Sequence, residues 1–424
     1  MPKVLSSGIR STLRNGTHLL GSFWVEALLR LLYAAVIART LGADQFGLWS
    51  YTLAFYTFMI GLVGLGFETQ VPLGLGRARS RFSASVAPFL TLRLLFLATA
   101  ALALAIVAMA TEPGATRTAM LIALPALLGR GVSLFTRWVF IGMERTEYVF
   151  RISLLLRVFE VLVGMCLLAF GAGILTLLAL HAVAWVADSL ISVWILRRHH
   201  GRIDLKSDRR LIKVILRRGV PLGLGGALRQ WLTSGPIVLL KILSGDLALV
   251  GQFALAQQIA ILAASSAQSF YQAALPVLSR ASRRRDAIIA GFGLKTSFVS
   301  LLIFGGAAVV AVWVGPPLTA SIFGPEFEMT GVLLAPFMLI AGLIVAPTGF
   351  VQTLATRAVL WPEAAANAVG ALVVIAAFTV FVPGWGIWAA IWGIATAWTV
   401  RALVVIVLYR LTTTTQSSTP PSAR

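Results

Sequence analysis

Thr17-His18-Leu19-Leu20-Gly21-Ser22-Phe23-Trp24-Val25-Glu26-Ala27-Leu28-Leu29-Arg30-Leu31-Leu32-Tyr33-Ala34-Ala35-Val36-Ile37-Ala38-Arg39-Thr40-Leu41-Gly42-Ala43-Asp44-Gln45-Phe46-Gly47-Leu48-Trp49 is the stretch from which the rest of the chain is read. About 22 largely apolar residues precede Arg39, and at 1.5 Å each they make about 33 Å of helix, enough to cross a bilayer. Glu26 and Arg30 fall near the middle of this span, four apart and so on one helical face. A charge at membrane depth costs roughly 2.5 kcal/mol or more, so both are expected to face protein or a watery cavity. The helix reads as the wall of a pathway.

The surrounding 424 residues are 58% hydrophobic and 12% charged, with a mean hydropathy of +0.90. Such a composition, broken into repeated runs near 20 residues, belongs to an all-α polytopic membrane protein. Twelve spans are expected, at about 17–40, 48–75, 84–110, 118–141, 150–171, 173–196, 219–243, 247–279, 287–314, 329–356, 364–383 and 386–409. The N-terminus is no cleavable signal, because Met1–Asn15 is basic and polar and charges interrupt the apolar run after it. The single cysteine, Cys166, lies in an apolar span, which excludes an intrachain disulfide or a cysteine metal cluster; no metal and no cofactor is expected.

Net charge +20 would suit a nucleic-acid partner if the cations lined a soluble face. They do not. They cluster in short connections on one side: Lys3, Arg10, Arg14; Arg77, Arg79, Arg81; Arg145, Arg151; nine within 197–218; Arg280, Arg283, Arg284, Arg285; Arg357; Arg410, Arg424. Only Arg39 and Arg117 fall on the other side. The positive-inside rule then places both termini in the cytoplasm of a multi-pass protein and leaves no case for nucleic acid.

The basic connection 197–218 divides the chain into a six-helix lobe at 1–196, a second at 219–410, and a tail at 411–424 expected to be disordered. Within the connection Lys206, Arg210, Lys213 and Arg217 share a helical face, a pattern suited to anionic headgroups as well as to setting topology. Arg39-Thr40-Leu41-Gly42-Ala43-Asp44 finds a counterpart in Lys241-Ile242-Leu243-Ser244-Gly245-Asp246, and Gly47-Leu48-Trp49 in Gly251-Gln252-Phe253. Six helices per repeat is an even number, so the halves share orientation. Gly223-Leu224-Gly225-Gly226 opens the seventh span and permits either close helix contact or a flexible gate.

Nine basic residues remain inside the spans: Arg30, Arg93, Arg130, Arg137, Arg157, Arg229, Lys241, Lys295 and Arg401. Four acids share that zone, Glu26, Glu68, Glu160 and Asp188, leaving an excess of fixed cation that calls for an anion. Arg93, Arg137, Lys295 and Arg401 lie near cytoplasmic ends and are expected to snorkel, and Lys241 likewise at the outer end. Arg157 and Glu160, three apart, are expected to pair. His181 is expected to be a buried, hydrogen-bonded imidazole. Arg30, Arg130 and Arg229 sit near mid-depth and are assigned to a substrate cavity, with Glu26 as the competing partner for Arg30. Glu68 and Asp188 are either ion-coupling acids or partners for Arg93 and Arg137. Guanidinium stays charged and grips phosphate oxygens through a planar fork, so the implied ligand is a phosphate or pyrophosphate. No G-x-x-x-x-G-K-[ST], H-E-x-x-H or D-x-D pattern occurs, no catalytic residue is assigned, and a transporter is expected rather than an enzyme.

The segment Ala38-Arg39-Thr40-Leu41-Gly42-Ala43-Asp44-Gln45-Phe46-Gly47-Leu48-Trp49-Ser50, with Leu65-Gly66-Phe67 and Leu73-Gly74-Leu75-Gly76-Arg77, resembles the opening of the polysaccharide-biosynthesis (O-antigen type) flippases. These belong to the multidrug/oligosaccharidyl-lipid/polysaccharide exporter superfamily. Where that family often has small or polar residues, this chain has Phe67-Glu68. The resemblance implies two six-helix lobes around a central cavity lined by the first two helices of each. It implies a flippase in the bacterial inner membrane moving an undecaprenyl-pyrophosphate-linked oligosaccharide outward. Its partners would be that lipid, anionic membrane lipids and polysaccharide polymerase machinery. The site residues expected to meet substrate are Arg30, Arg229, Arg130, Glu26 and Lys241. An ion-coupled multidrug or cation antiporter on the same architecture is the alternative; it would need acids facing its cargo, whereas the membrane charge here is positive. On this reading Arg30 is essential to export and Arg401 is dispensable.

Overall fold

The computed structural model describes residues 2–77, 82–200, 209–273, 286–356, 359 and 361–417. Among them the regular structure is helical: α1 (Pro2–Leu62), α2 (Phe67–Arg77), α3 (Phe82–Thr111), α4 (Gly114–Gly142), α5 (Thr146–Ala169), α6 (Ile174–His200), α7 (Arg209–Ser244), α8 (Leu247–Ala273), α9 (Asp286–Phe323), α10 (Glu328–Val345), α11 (Thr348–Thr356) and α12 (Trp361–Ser417), with a 3-10 turn at Pro325–Phe327. Eight helical segments are long and apolar enough to cross a membrane, nine if the bent pair Trp24–Leu62 and Phe67–Leu75 is one span. The protein is an all-α, multi-pass membrane protein.

The expected twelve spans map onto these helices once two breaks are recognised. Gly42 (φ 79°) kinks α1 and Gly386 (φ 60°) kinks α12, so each is two helical rods that meet at a non-helical residue. Both are conformations that an L-residue reaches only with strain. The seventh span carries Arg229, Gln230 and Lys241 among its glycines, and its helix does not pass by composition alone. The basic runs at Arg79–Arg81, residues 201–208, Arg280–Arg285 and Arg357 lie outside the described residues, as does the chain beyond Ser417. α12 itself runs on to Ser417, into the stretch from 411 read as a tail. There the Thr412 hydroxyl bonds back to Leu408 O at 2.9 Å, which a helical turn accommodates.

By packing the chain forms two compact units. One holds Met1–Leu41 and Leu48–Ala227; the other holds Gly42–Gly47 and Leu228–Arg424. The first is centred on Phe67, Val86, Phe135, Val139 and Phe140, all essentially inaccessible. Ile215 of α7 joins this core, with Ile212 and Leu216 against it, while Arg210, Lys213 and Arg217 stay exposed. The start of α7 therefore spends much of its apolar side on protein. Gly219 and Gly223 continue that contact: a Cβ on Gly223 would lie 2.5 Å from the Leu65 Cα. Close helix contact is what the glycine run provides there.

In the second unit the kinked segment is fastened at both ends. The Glu326 carboxylate accepts the Ala43 N–H at 2.9 Å, capping the helix that restarts after Gly42, and a Cβ on Gly42 would sit 2.8 Å from Glu326 Oε2. Phe46 packs edge-on against Phe327 at 5.9 Å. Gly47 then crosses α8 at Gly251, backbone against backbone. A Cβ on Gly47 would overlap Leu247 O, and a Cβ on Gly251 would overlap Ala43 O. The pairs are reciprocal: residue 43 stands to 251 as 247 stands to 47. Within this unit the two segments cross through equivalent atoms.

Candidate functional site

Arg30 lies on the first rod of α1 with its side chain exposed, yet its electrostatic neighbours are Arg130, Glu26, Tyr56 and Arg157, all within the first unit. It therefore faces the interior of that unit, and no carboxylate among the described residues lies in ion-pair reach of it. Glu26, the expected partner, is taken by Arg137 of α4: Arg137 Nη2 donates to Glu26 Oε1 at 2.7 Å and to Ser153 Oγ at 2.6 Å. A partner 111 residues away wins over the one at i+4, because the Arg137 guanidinium is half-buried and the pair shields both charges. Arg137 does not snorkel.

Arg130 donates to Thr57 Oγ1 at 2.9 Å and to Tyr56 Oη at 3.2 Å, both on the second rod of α1. Its guanidinium lies 5.1 Å from the Trp185 ring centre, and Arg157 stacks on the same indole at 4.1 Å. Arg157 and Glu160 form the pair that their spacing predicts. Glu160 also accepts from His181 Nδ1 at 2.5 Å, while His181 Nε2 accepts from the Trp185 indole N–H at 3.1 Å and faces Tyr56 Oη at 2.7 Å. Indole only donates, so it holds His181 as the neutral Nδ1–H tautomer. His181 is a buried, hydrogen-bonded imidazole, as expected.

Three cations thus converge on α1, α4 and α5 with Glu160 as the nearest bonded carboxylate. Donors remain: Arg130 Nε and Arg157 Nε and Nη2 are buried without a hydrogen-bond partner among the described residues. Exposed Arg30 beside two guanidiniums with spare N–H groups is an arrangement that an oxyanion would satisfy. The reading from spacing gave Arg157 only a structural role and missed its place in this group; the ring of Trp185, 28 positions on, is what brings it there.

The other candidates are placed separately. Asp188 accepts from Ser133 Oγ at 2.5 Å and is buried; its field reaches Arg137, though no ion pair forms. Glu68 is exposed in the first turn of α2, and Arg93 is bonded elsewhere, to the carbonyls of Val63 (2.7 Å) and Gly131 (3.1 Å). Arg93 is fully inaccessible and does not snorkel. Its length is spent on capping a helix end. Lys241 is half-buried in the last turn of α7, where a cation suits the helix dipole.

In the second unit Arg229 Nη1 stands 3.6 Å from Glu363 Oε1, and Arg401 Nη2 stands 3.7 Å from the same oxygen. Arg401 is 5% exposed and donates Nε to Asn367 Oδ1 at 2.6 Å, so the snorkelling expectation fails for it too. Glu363 was passed over because it falls one residue before the expected eleventh span, but its i+4 neighbour is Asn367, and that pairing points inward.

The family model described as polysaccharide biosynthesis protein matches residues 12–282. No curated protein matches the chain in sequence. Among solved structures, an inward-facing multidrug resistance MATE family transporter of the MOP superfamily superposes with a TM-score of 0.69 at 14% identity, over 93% of this chain and 96% of its own. The lipid II flippase MurJ in an inward closed conformation gives 0.72 at 11% identity, over 93% and 87%. A MOP superfamily transporter from Pyrococcus furiosus Vc1 gives 0.61 at 14%, over 96% of both chains. At such identities these likenesses establish the fold. The chain belongs to the polysaccharide biosynthesis protein family, a multi-pass membrane protein with the transporter and flippase fold.

Proposed function

We propose that the protein is an alternating-access flippase that carries an undecaprenyl-pyrophosphate-linked oligosaccharide from the cytoplasmic to the periplasmic leaflet of the bacterial inner membrane. The observation that carries this reading is the Arg30–Arg130–Arg157 group: an exposed guanidinium at membrane depth, without a bonded carboxylate, beside two others with unused donors. Such a group holds a pyrophosphate through charge-assisted hydrogen bonds while the polyprenyl chain stays in lipid. Arg229 and Lys241 on α7, within the second unit, are proposed contacts for an anionic cargo, and Glu26, within the first, holds Arg137 in an ion pair. Asp188 and Glu68 are the candidate ion-coupling acids. The family supports a cargo of polysaccharide biosynthesis, and the solved lipid II flippase shows that this fold serves lipid-linked cargo elsewhere. The product, delivered outside, would feed a surface-polysaccharide polymerase. A cationic drug is the poorer cargo, because Arg30 would repel it.

The test is the leaflet location of lipid-linked oligosaccharide in cells lacking the protein and complemented with variants. Wild type and Lys295→Ala, an exposed cation on α9, should clear the cytoplasmic leaflet. Arg30→Ala should slow clearance about 10- to 100-fold, the equivalent of one lost charge-assisted hydrogen bond of roughly 1.5–3 kcal/mol. Full clearance by Arg30→Ala would overturn the assignment. Arg401→Ala is no longer the neutral control that the sequence suggested, since its guanidinium is buried on Asn367.

A further inference from the structure

Arg229 and Arg401 share one carboxylate, and they hold it unequally. Glu363 Oε1 is 3.6 Å from Arg229 and 3.7 Å from Arg401, ion-pair distances but longer than a tight hydrogen bond to either. Arg401 is fixed: it is 5% exposed, its Nε is bonded to Asn367, and its guanidinium lies 5.1 Å from the Trp398 ring centre. Arg229 is loose. Its side chain is 59% exposed and Glu363 is its one charged partner among the described residues; the neighbouring Gln230 turns away to Ser234. Two guanidiniums and one carboxylate leave a net charge of +1, with the mobile cation on the accessible side.

We propose that Glu363 is a built-in counter-anion that competes with the ligand's phosphate for Arg229 and thereby sets how readily the ligand leaves. A phosphate or pyrophosphate group carries more charge than a carboxylate and matches the guanidinium fork, so it displaces Glu363 from Arg229. The displaced carboxylate keeps a partner: Arg401 stands 3.7 Å from the same oxygen, so no charge is stranded in the membrane. When the phosphate departs, Glu363 returns and neutralises Arg229 before the ion can rebind. Asn367 is the positioning residue, holding Arg401 ready to receive the carboxylate. This rests on the reading of Arg229 as a contact for an anionic cargo, but it concerns release.

Because the carboxylate and the phosphate exclude each other at one cation, their free energies are linked. The probe is inorganic pyrophosphate, titrated onto the purified full-length protein in nanodiscs. Glu363→Gln should tighten binding by about 5- to 100-fold, the usual span of such couplings. Glu363→Asp, a shorter reach to Arg229, should fall between it and wild type. In an Arg229→Gln background the gain from Glu363→Gln should vanish. Thermal unfolding of each variant shows that it is folded. Equal affinity of wild type and folded Glu363→Gln overturns the inference, as does a gain that survives in the Arg229→Gln background. Wild-type binding lost on Arg30→Gln but unmoved at Glu363 would leave the proposed cargo site standing and sink only the competition. No pyrophosphate binding by any variant would remove both.

Discussion

Alanine at Gly47 is expected to cost about 3 kcal/mol or more of stability, the upper end of what overpacking does, because the new methyl would run into backbone rather than a side chain. The Cβ would overlap Leu247 O in the first turn of α8 and stand 3.1 Å from the Gly251 amide one turn on, so it meets α8 backbone at two points. Glu326 holds the segment from the other end through Ala43 N–H. The measurement is apparent melting temperature and the monodisperse fraction in detergent, with Gly305→Ala as the comparison. A Cβ on Gly305 meets nothing within 4 Å, so that variant should match wild type or gain up to about 1 kcal/mol from helix propensity. Equal melting of Gly47→Ala and wild type would contradict the backbone crossing.

The second large effect is expected at Arg93. Its fork holds Val63 O, at the end of α1 where carbonyls lack helical partners, and Gly131 O on α4. Arg93→Ala empties a fully buried site and leaves Val63 O without its donor, while Gly131 O, inside α4, keeps its helical one; the cost is about 4 kcal/mol from the cavity and the lost hydrogen bonds together. Arg93→Met fills most of the volume and should recover about half of that, isolating the polar part. Chemical or thermal unfolding in detergent gives the difference. If the two variants unfold alike, the hydrogen bonds rather than the space carry the whole effect.

Much of this fold is written in hydropathy, and the parts that are not share a cause. Span positions follow from local runs of apolar residues, and the Arg157–Glu160 pair and the buried His181 follow from local spacing. The destination of a buried charge does not. Glu26 could reach Arg30 four positions on, yet it bonds Arg137 on another helix; Arg93 bonds two carbonyls and, among the described residues, no acid; Arg401 turns inward to Asn367 although its depth would let it reach the interface. A sequence gives the depth of each cation in the membrane but not its azimuth, and azimuth decides between lipid, partner and ligand. The Arg39–Trp49 motif shows the same gap. Its glycines announced something unusual, but that Gly42 makes room for Glu326 and Gly47 for Leu247 depends on residues made much later.

That delay has a consequence for biogenesis. The segment 42–47 packs with Leu247, Gly251, Glu326 and Phe327, roughly 200 to 280 residues further along the chain. At translation rates of about 5–20 residues per second, the first helix waits on the order of 10 to 60 s with its bend uncapped. During that time the Ala43 amide and the Phe46 ring have no final partner. An insertion chaperone that shelters the bend at Gly42 would act in this interval, and a nascent chain arrested before residue 326 should crosslink to it there.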